Sequence, residues 1–345
     1  MRDLEKIDSD SIVISSRLRL ARNLESFPFP WKANPALSAE IIGLVRDVRA
    51  KTPLLADSIF YEMDQLSEVE RFILLERHII SREHAANPGN KALLLSPDHT
   101  IAIMINEEDH LRIQVLKGGL ELEESWGLLD KLEGELSSHL DFSFIPRIGY
   151  LTSCPTNTGT GLRVSCMLHL PALVLTKRIN KILELVSKIS FTSRGFFGEG
   201  TQALGDFFQV SNQVSLGVCE QELVDNLKGL VIKIRQHEID CRGILLRKYR
   251  PQTEDSVWRA LGLLKNCRLI NSKEAMLHLS MLFLGLDLGI ITSNDLGVGP
   301  DSRRILTALF LDIQPAHLQN LEKRELREKE RDLARARLIR ERLGG

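Results

Sequence analysis

Apolar runs of strand length, interleaved with helical stripes and turn clusters, recur through the first 240 residues and then stop. Ala92 to Leu95, Thr100 to Ile105 and Leu111 to Leu116 are three such runs in succession, and Val164 to Leu170 alternates as a strand. Helical spacing appears at Ser38 to Arg49, Leu66 to Ile80, Gly127 to Leu140, Val174 to Ile189 and Glu220 to His237. Strands mixed with helices, separated by turn chemistry such as Asn87-Pro88-Gly89-Asn90, predict an α+β layered unit. Beyond Cys241, strand signals vanish and Leu and charge dominate. Ser272 to Leu288 reads as a buried helix, and Leu321 to Leu343 as a charged one marked by Leu326, Leu333, Ala336, Ile339 and Leu343. Two units are therefore expected, an α+β unit over residues 1–240 and an all-helical unit over residues 241–345.

Length allows this, because 345 residues suffice for two cores. A net charge of −1 supplies no global field for nucleic acid or an anionic membrane, so any anion site must come from local clustering. No apolar run reaches the length of a membrane span, and Met1 to Lys6 lacks the apolar stretch of a signal peptide. Five scattered cysteines show no metal-ligand spacing, so no protein-held metal site is expected. They read as reduced thiols, four of them core fillers, in a cytoplasmic protein.

Four short stretches carry chemistry. In Ile12 to Asn23, Arg17 and Arg19 alternate with Leu18 and Leu20, so an extended chain projects both cations from one face. An exposed strand edge has the same pattern. Asn106-Glu107-Glu108-Asp109-His110 joins two apolar strands and is followed by Arg112; a solvated hairpin turn would look alike. Thr152 to Arg163 is small, polar and glycine-containing, without the Gly-Lys-Ser/Thr of a Walker A loop. Ser193 to Thr201 puts Arg194, three glycines and Glu199 in nine positions, which suits either a plain turn or a conditional lid. Guanidinium groups grip phosphate bidentately and stay charged, so Arg17, Arg19, Arg112, Arg163 and Arg194 suit a polyphosphate undergoing phosphoryl transfer. Magnesium would be held mainly by phosphate and water. Glu108 and Glu199 call for a cationic partner, and a guanidinium acceptor, protonated below a pKa of about 12, needs carboxylates to orient it and take its proton. Cys154, among these cations, is the thiol most inclined to ionise.

The stretches SSRLRLARN, NEEDHLRI, CPTNTGTGLR and RGFFGEG, in this order and at similar spacing, resemble the ATP:guanido (phosphagen) kinases, and within them the bacterial protein-arginine kinase branch. The resemblance covers roughly residues 12–237 and implies an antiparallel sheet flanked by helices. It implies that Arg17, Arg19, Arg112, Arg163 and Arg194 hold the ATP phosphates. Ser15, His78, Val164, Ser165, Met167, Gly195 and Gly198 would complete the nucleotide site. Glu108 and Glu199 would hold the substrate guanidinium, Glu108 as base, and Cys154 matches the family's reactive cysteine. Met167 stands where the small-molecule kinases usually carry histidine, and the lid reads GEG where theirs reads GEH. With Ser15 so early in the sequence, the helical domain that precedes this motif in those enzymes is expected to be missing, which would leave an open mouth for a protein-borne arginine.

Arg331-Asp332-Leu333-Ala334-Arg335-Ala336 fits the RDxxRA motif of the branch, which implies an allosteric phosphoarginine pocket built on Arg331, Asp332, Arg335 and Ala336. A solvated helix with i,i+4 Glu–Arg pairs would carry similar letters. The resemblance implies an ATP-dependent protein arginine kinase that marks clients for Clp-dependent degradation. Its implied partners are an activator of the McsA kind, a Clp ATPase and a second copy of itself. A kinase for free arginine and a non-catalytic phosphoarginine adaptor are the alternatives.

Overall fold

The computed structural model describes residues 11–195, 204–299 and 301–344. Ten strands run in chain order as β1 (Val13–Arg22), β2 (Ile59–Glu62), β3 (Ala92–Leu95), β4 (Ile101–Ile105), β5 (Leu111–Gly118), β6 (Phe144–Ile145), β7 (Gly149–Tyr150), β8 (Leu162–His169), β9 (Phe191–Arg194) and β10 (Phe207–Asn212). The first helices are α1 (Pro35–Arg49), α2 (Glu68–Glu76), α3 (Arg82–Ala86), α4 (Leu122–Ser137), α5 (Pro171–Leu175), α6 (Ile179–Lys188) and α7 (Glu220–Lys248). Then follow α8 (Arg250–Asn266), α9 (Ser272–Asp287), α10 (Ser293–Leu296), α11 (Ser302–Asp312), α12 (Pro315–Glu322) and α13 (Glu328–Arg342).

Eight strands form one sheet in the order β2-β3-β4-β5-β1-β8-β10-β9, and every pairing is antiparallel. Alternation along each strand sorts the two faces. Leu18, Leu20, Ile113, Val115, Val164, Cys166 and Val210 point to one side, where α1, α4 and α7 cover them to form the main core. The other face is divided. At one end Leu93, Leu95, Ala102 and Met104 pack with Met63, Ile79 and Ile80. At the other end Met167 and Phe207 join the core of α8, α9, α11 and α13. Between these apolar blocks the face carries arginine, glutamine and serine, which leaves an open polar cleft.

Several expectations need correction. The helix expected over Val174 to Ile189 is two, α5 and α6, broken where Lys177 adopts φ 58°. Thr192 to Arg194 is edge strand, paired with β10, although the glycines beside it suggested a loop. β2 went unread because Ile59–Glu62 is short and half-exposed. Residue 240 falls inside α7, which runs unbroken for 29 residues and keeps Cys241 and Leu245 in the main core. Of the four expected core cysteines, Cys166 and Cys241 are buried, whereas Cys219 is exposed and Cys267 half-buried.

Candidate active site

Strand register brings the cations together. Arg19 lies across from Arg163 on β8 and Gln114 on β5, and Ala21 faces Arg112 one pleat along. Arg194 ends β9 opposite Gln209. A cavity of about 270 Å³ is lined by Arg19, Arg112, Arg163 and Arg194 with Glu108 and Cys154. A second, of about 310 Å³, shares Arg19, Arg112 and Arg194 and adds Arg17, His78, Gln114 and Gln209. All five expected arginines therefore line one continuous cleft.

Burial, then repulsion from Arg112 and Arg163, lowers the Arg17 guanidinium to about 9. Burial lowers Arg19 well below its ordinary value, with Arg17, Arg112 and Arg163 adding to the effect and Glu107 opposing it. The Arg19 Nε is buried with no hydrogen-bond partner among the described residues. Converging cations with an unsatisfied donor cost free energy until an anion of several charges lies between them, and a triphosphate has that chemistry. His78 follows the end of α2 in a left-handed turn, φ 59°, and its carbonyl accepts from Gln114 Nε2 at 3.0 Å and Arg17 Nη1 at 3.5 Å. Its ring is held neutral, down at about 3, by burial and then by Arg17 and Arg19.

The acidic turn separates into three roles. Glu107 pairs with Arg112 at 2.9 Å and accepts from Ser81 Oγ at 2.6 Å. Burial works to raise this carboxyl, but Arg112 and the hydrogen bonds outweigh it and bring it to about 2. Asp109 is buried, accepting from Asn23 Nδ2 at 2.6 Å and from the Ser153 backbone at 2.7 Å, which ties the turn to the cysteine loop. Glu108 and Asp109 both line the arginine cavity, and Glu108 alone of the three acids is exposed. Cys154 lies in the same wall with its Sγ 2.9 Å from Thr156 Oγ1. The loop's glycines are needed where they stand. Gly161, at φ 65°, would place a Cβ 2.6 Å from an Arg22 nitrogen, and Gly159, at φ 113°, would press one onto the Ser215 carbonyl.

Other expected residues are placed differently. Ser165 supports the site from beneath: its hydroxyl donates to the Arg17 carbonyl at 3.1 Å and accepts from Gln209 Nε2 at 3.0 Å. Val164 points into the main core, and Met167 packs among the C-terminal helices. Ser15 pairs with Met167 across β1 and β8, and neither lines the cleft cavities. Gly195 is buried at the end of β9, while Gly198 and Glu199 lie outside the described residues. Gln114, Gln209 and Ser81 line the cleft without having been singled out; Gln114 sits two residues after Arg112, and that alternation was the available signal. In the C-terminal motif, Arg331 lines a cavity of about 360 Å³ with Glu76 and Gln319. Asp332 does pair with a guanidinium, that of Arg335, at 2.5 Å. Arg335, however, is 1% exposed and directs Nε and Nη1 to the Ile313 and Ile270 carbonyls, each at 2.9 Å. The two arginines therefore do not converge on one cavity, and Ala336 is core.

The profile of the ATP:guanido phosphotransferase C-terminal catalytic domain matches residues 42–241. The chain belongs to this family. The profile of the protein-arginine kinase McsB C-terminal domain matches residues 250–345. A protein-arginine kinase of Halothermothrix orenii is 46% identical over 96% of this chain and 93% of its own. That of Desulforamulus reducens is 44% identical over 97% and 92%. Among solved structures, the duplicated taurocyamine kinase of Schistosoma mansoni with bound transition-state-analogue components superposes at TM-score 0.59 and 26% identity. That match covers 66% of this chain and spans one third (33%) of the duplicated chain. Lombricine kinase superposes at TM-score 0.57 over 68% and 69%, at 24% identity, and speaks to the fold alone. The guanido phosphotransferase sheet is thus joined here to a helical region typical of one branch of the family.

Proposed function

We infer that this chain is a protein-arginine kinase, which moves the γ-phosphoryl group of ATP to a guanidinium nitrogen of an arginine in a polypeptide. The observation that carries this reading is the cleft itself, in which five arginines converge and the exposed Glu108 stands on the wall beside them. ATP enters as its magnesium complex, its phosphates held by Arg17, Arg19, Arg112, Arg163 and Arg194. Glu108, with Glu199, holds the acceptor guanidinium in line and Glu108 takes one proton from it. The N–P bond forms as the bond between the γ-phosphorus and the β,γ-bridging oxygen breaks, giving ADP, phosphoarginine and that proton. His78, neutral, contributes its carbonyl to Arg17 and Gln114 and adds no positive charge beside the phosphates.

Around this core, the relatives support a cytoplasmic enzyme that acts on accessible arginines of other proteins. The same branch membership favours a homodimer, an activator of the McsA kind and delivery of marked clients to a Clp ATPase. A phosphoarginine-binding role for the cavity beside Arg331 is part of the proposal, with Arg331 as its cation and Arg335 as a support of the backbone behind it.

The deciding experiment incubates the full chain with ATP, magnesium and casein. Acid-labile phosphate on arginine, absent with Glu108→Ala, is the expected result. Phosphate only on free L-arginine, or only on hydroxyl side chains, would overturn the reading.

A further inference from the structure

Glu108 lines two cavities, and only one of them is lined by arginines. The second, of about 550 Å³, runs past Pro30, Trp31, Pro35, Glu83, Asn90 and Glu107. Its walls are fastened to one another. The His110 Nε2–H donates to the Pro28 carbonyl and its Nδ1 accepts from the Leu24 backbone, both at 3.0 Å, which pins the aromatic turn to the acidic one. Asn106 Nδ2 donates to the Ser38 carbonyl at 2.9 Å and the Asn90 carbonyl at 3.1 Å, which joins the start of α1 to the turn at residues 87–90. On this frame Trp31 is 67% exposed, with the Lys32 ammonium 4.7 Å from its ring centroid. A large ring presented to solvent from a rigid turn, beside a catalytic carboxylate, has the character of an anchor for a ligand.

We propose that this groove seats the polypeptide on either side of the target arginine, with an apolar or aromatic neighbour of that arginine against Trp31. The proposal rests on the protein-arginine kinase reading, since its occupant must deliver a guanidinium to Glu108. Two observations select a cationic polypeptide. The groove is continuous with the arginine cavity through Glu108, which belongs to both walls. Its charged side chains are three carboxylates, Glu83, Glu107 and Glu108, against one ammonium, Lys91, so a second anionic ligand is disfavoured. Pro30, Trp31, Ala33 and Pro35 then offer apolar surface that a lone guanidinium does not use and a flanking side chain does.

The test uses the full chain with ATP, magnesium and two peptides of equal length, each with one arginine. One flanks it with Gly and Ser, the other with Leu and Tyr, and casein serves as a reference substrate. The Leu/Tyr peptide should show a KM about tenfold lower, the size expected for one aromatic anchor. Trp31→Ala should raise that KM to the level of the Gly/Ser peptide, with unchanged KM for ATP and unchanged circular dichroism, and Trp31→Phe should recover most of the loss. Equal KM values for the two peptides, an unchanged KM in Trp31→Ala, or modification of casein but of neither peptide would overturn the groove and leave the kinase reading standing. No phosphoarginine on any of the three would overturn both.

Discussion

Glu76, the last residue of α2, accepts the Nδ1–H of His317 at 2.6 Å, although 241 positions separate them in the chain. The same carboxylate accepts the backbone N–H groups of Ala316 and His317 at 2.8 and 3.1 Å, so it caps α12. Arg77 Nε donates to the other ring nitrogen of His317 at 3.3 Å, and His78 then turns into the cleft. The helical region is thereby fastened to the catalytic sheet two residues before a cleft-lining residue.

Glu76→Ala leaves two helix N–H groups and a ring N–H without this acceptor. A stability loss of about 2–4 kcal/mol is expected in urea melts. The KM for ATP should rise with it, because the displaced segment carries the carbonyl that orients Arg17. Unchanged stability and KM would show that the cap is idle.

Two neighbouring acids of the turn should respond differently. Glu108→Gln is expected to lower kcat by about 10²- to 10⁴-fold with little change in melting temperature. Asp109→Ala breaks buried bonds to Asn23 and Ser153 and should cost about 1–3 kcal/mol of stability, with activity falling in proportion to the folded fraction. Rate and denaturation measurements on the pair separate the roles; equal stability losses would contradict the geometry.

Arg19→Met removes one of the mutually repelling cations and an unpaired buried Nε–H. The ligand-free protein should gain on the order of 1 kcal/mol of stability. ATP should lose most of its stabilising effect on the variant in a thermal-shift series. A destabilised variant that still responds fully to ATP would exclude Arg19 from the phosphate site.

His78, His84 and His169 should make the protein acid-sensitive. Burial is the first cause in each case, lowering His78 to about 3, His84 to about 4 and His169 well below its ordinary range. Their folded pKa values lie under the unfolded value of about 6.5. The stability they confer is thus complete above that pH and falls as pH drops below it, because only the unfolded chain takes up the proton. Each contributes about 1.4 kcal/mol per pH unit across this window. Urea melts between pH 7.5 and 4.5 should show the slope, and each single His→Gln variant should reduce it by one proton. An unaltered slope would mean that the ring in question is already charged in the folded state.

Much of the site was legible because it depends on local geometry. The alternation of Arg17 and Arg19 with Leu18 and Leu20 is enough to put both guanidinium groups on one face, and the register of β1 and β8 then places Arg163 alongside. The loop before β8 was readable as small, polar and glycine-containing, while the positive φ values that require Gly159 and Gly161 appear only in the fold. The helical character after residue 241 followed from the loss of strand signals and the dominance of Leu and charge.

Other features depended on contacts that adjacent residues do not share. Glu107, Glu108 and Asp109 are chemically alike in sequence; Arg112, Ser81, Asn23 and Ser153 occupy the other two and leave Glu108 as the exposed acid beside the arginines. Arg331 and Arg335 are one helical turn apart, yet the Ile270 and Ile313 carbonyls draw Arg335 inward. Met167 sits on the cleft face of its strand but is covered by helices of the C-terminal region. Side-chain chemistry and period-two alternation are written in the chain and need no partner. Which like-charged neighbour stays exposed is set by desolvation and long-range hydrogen bonds, and those exist only once the sheet and the C-terminal helices have met.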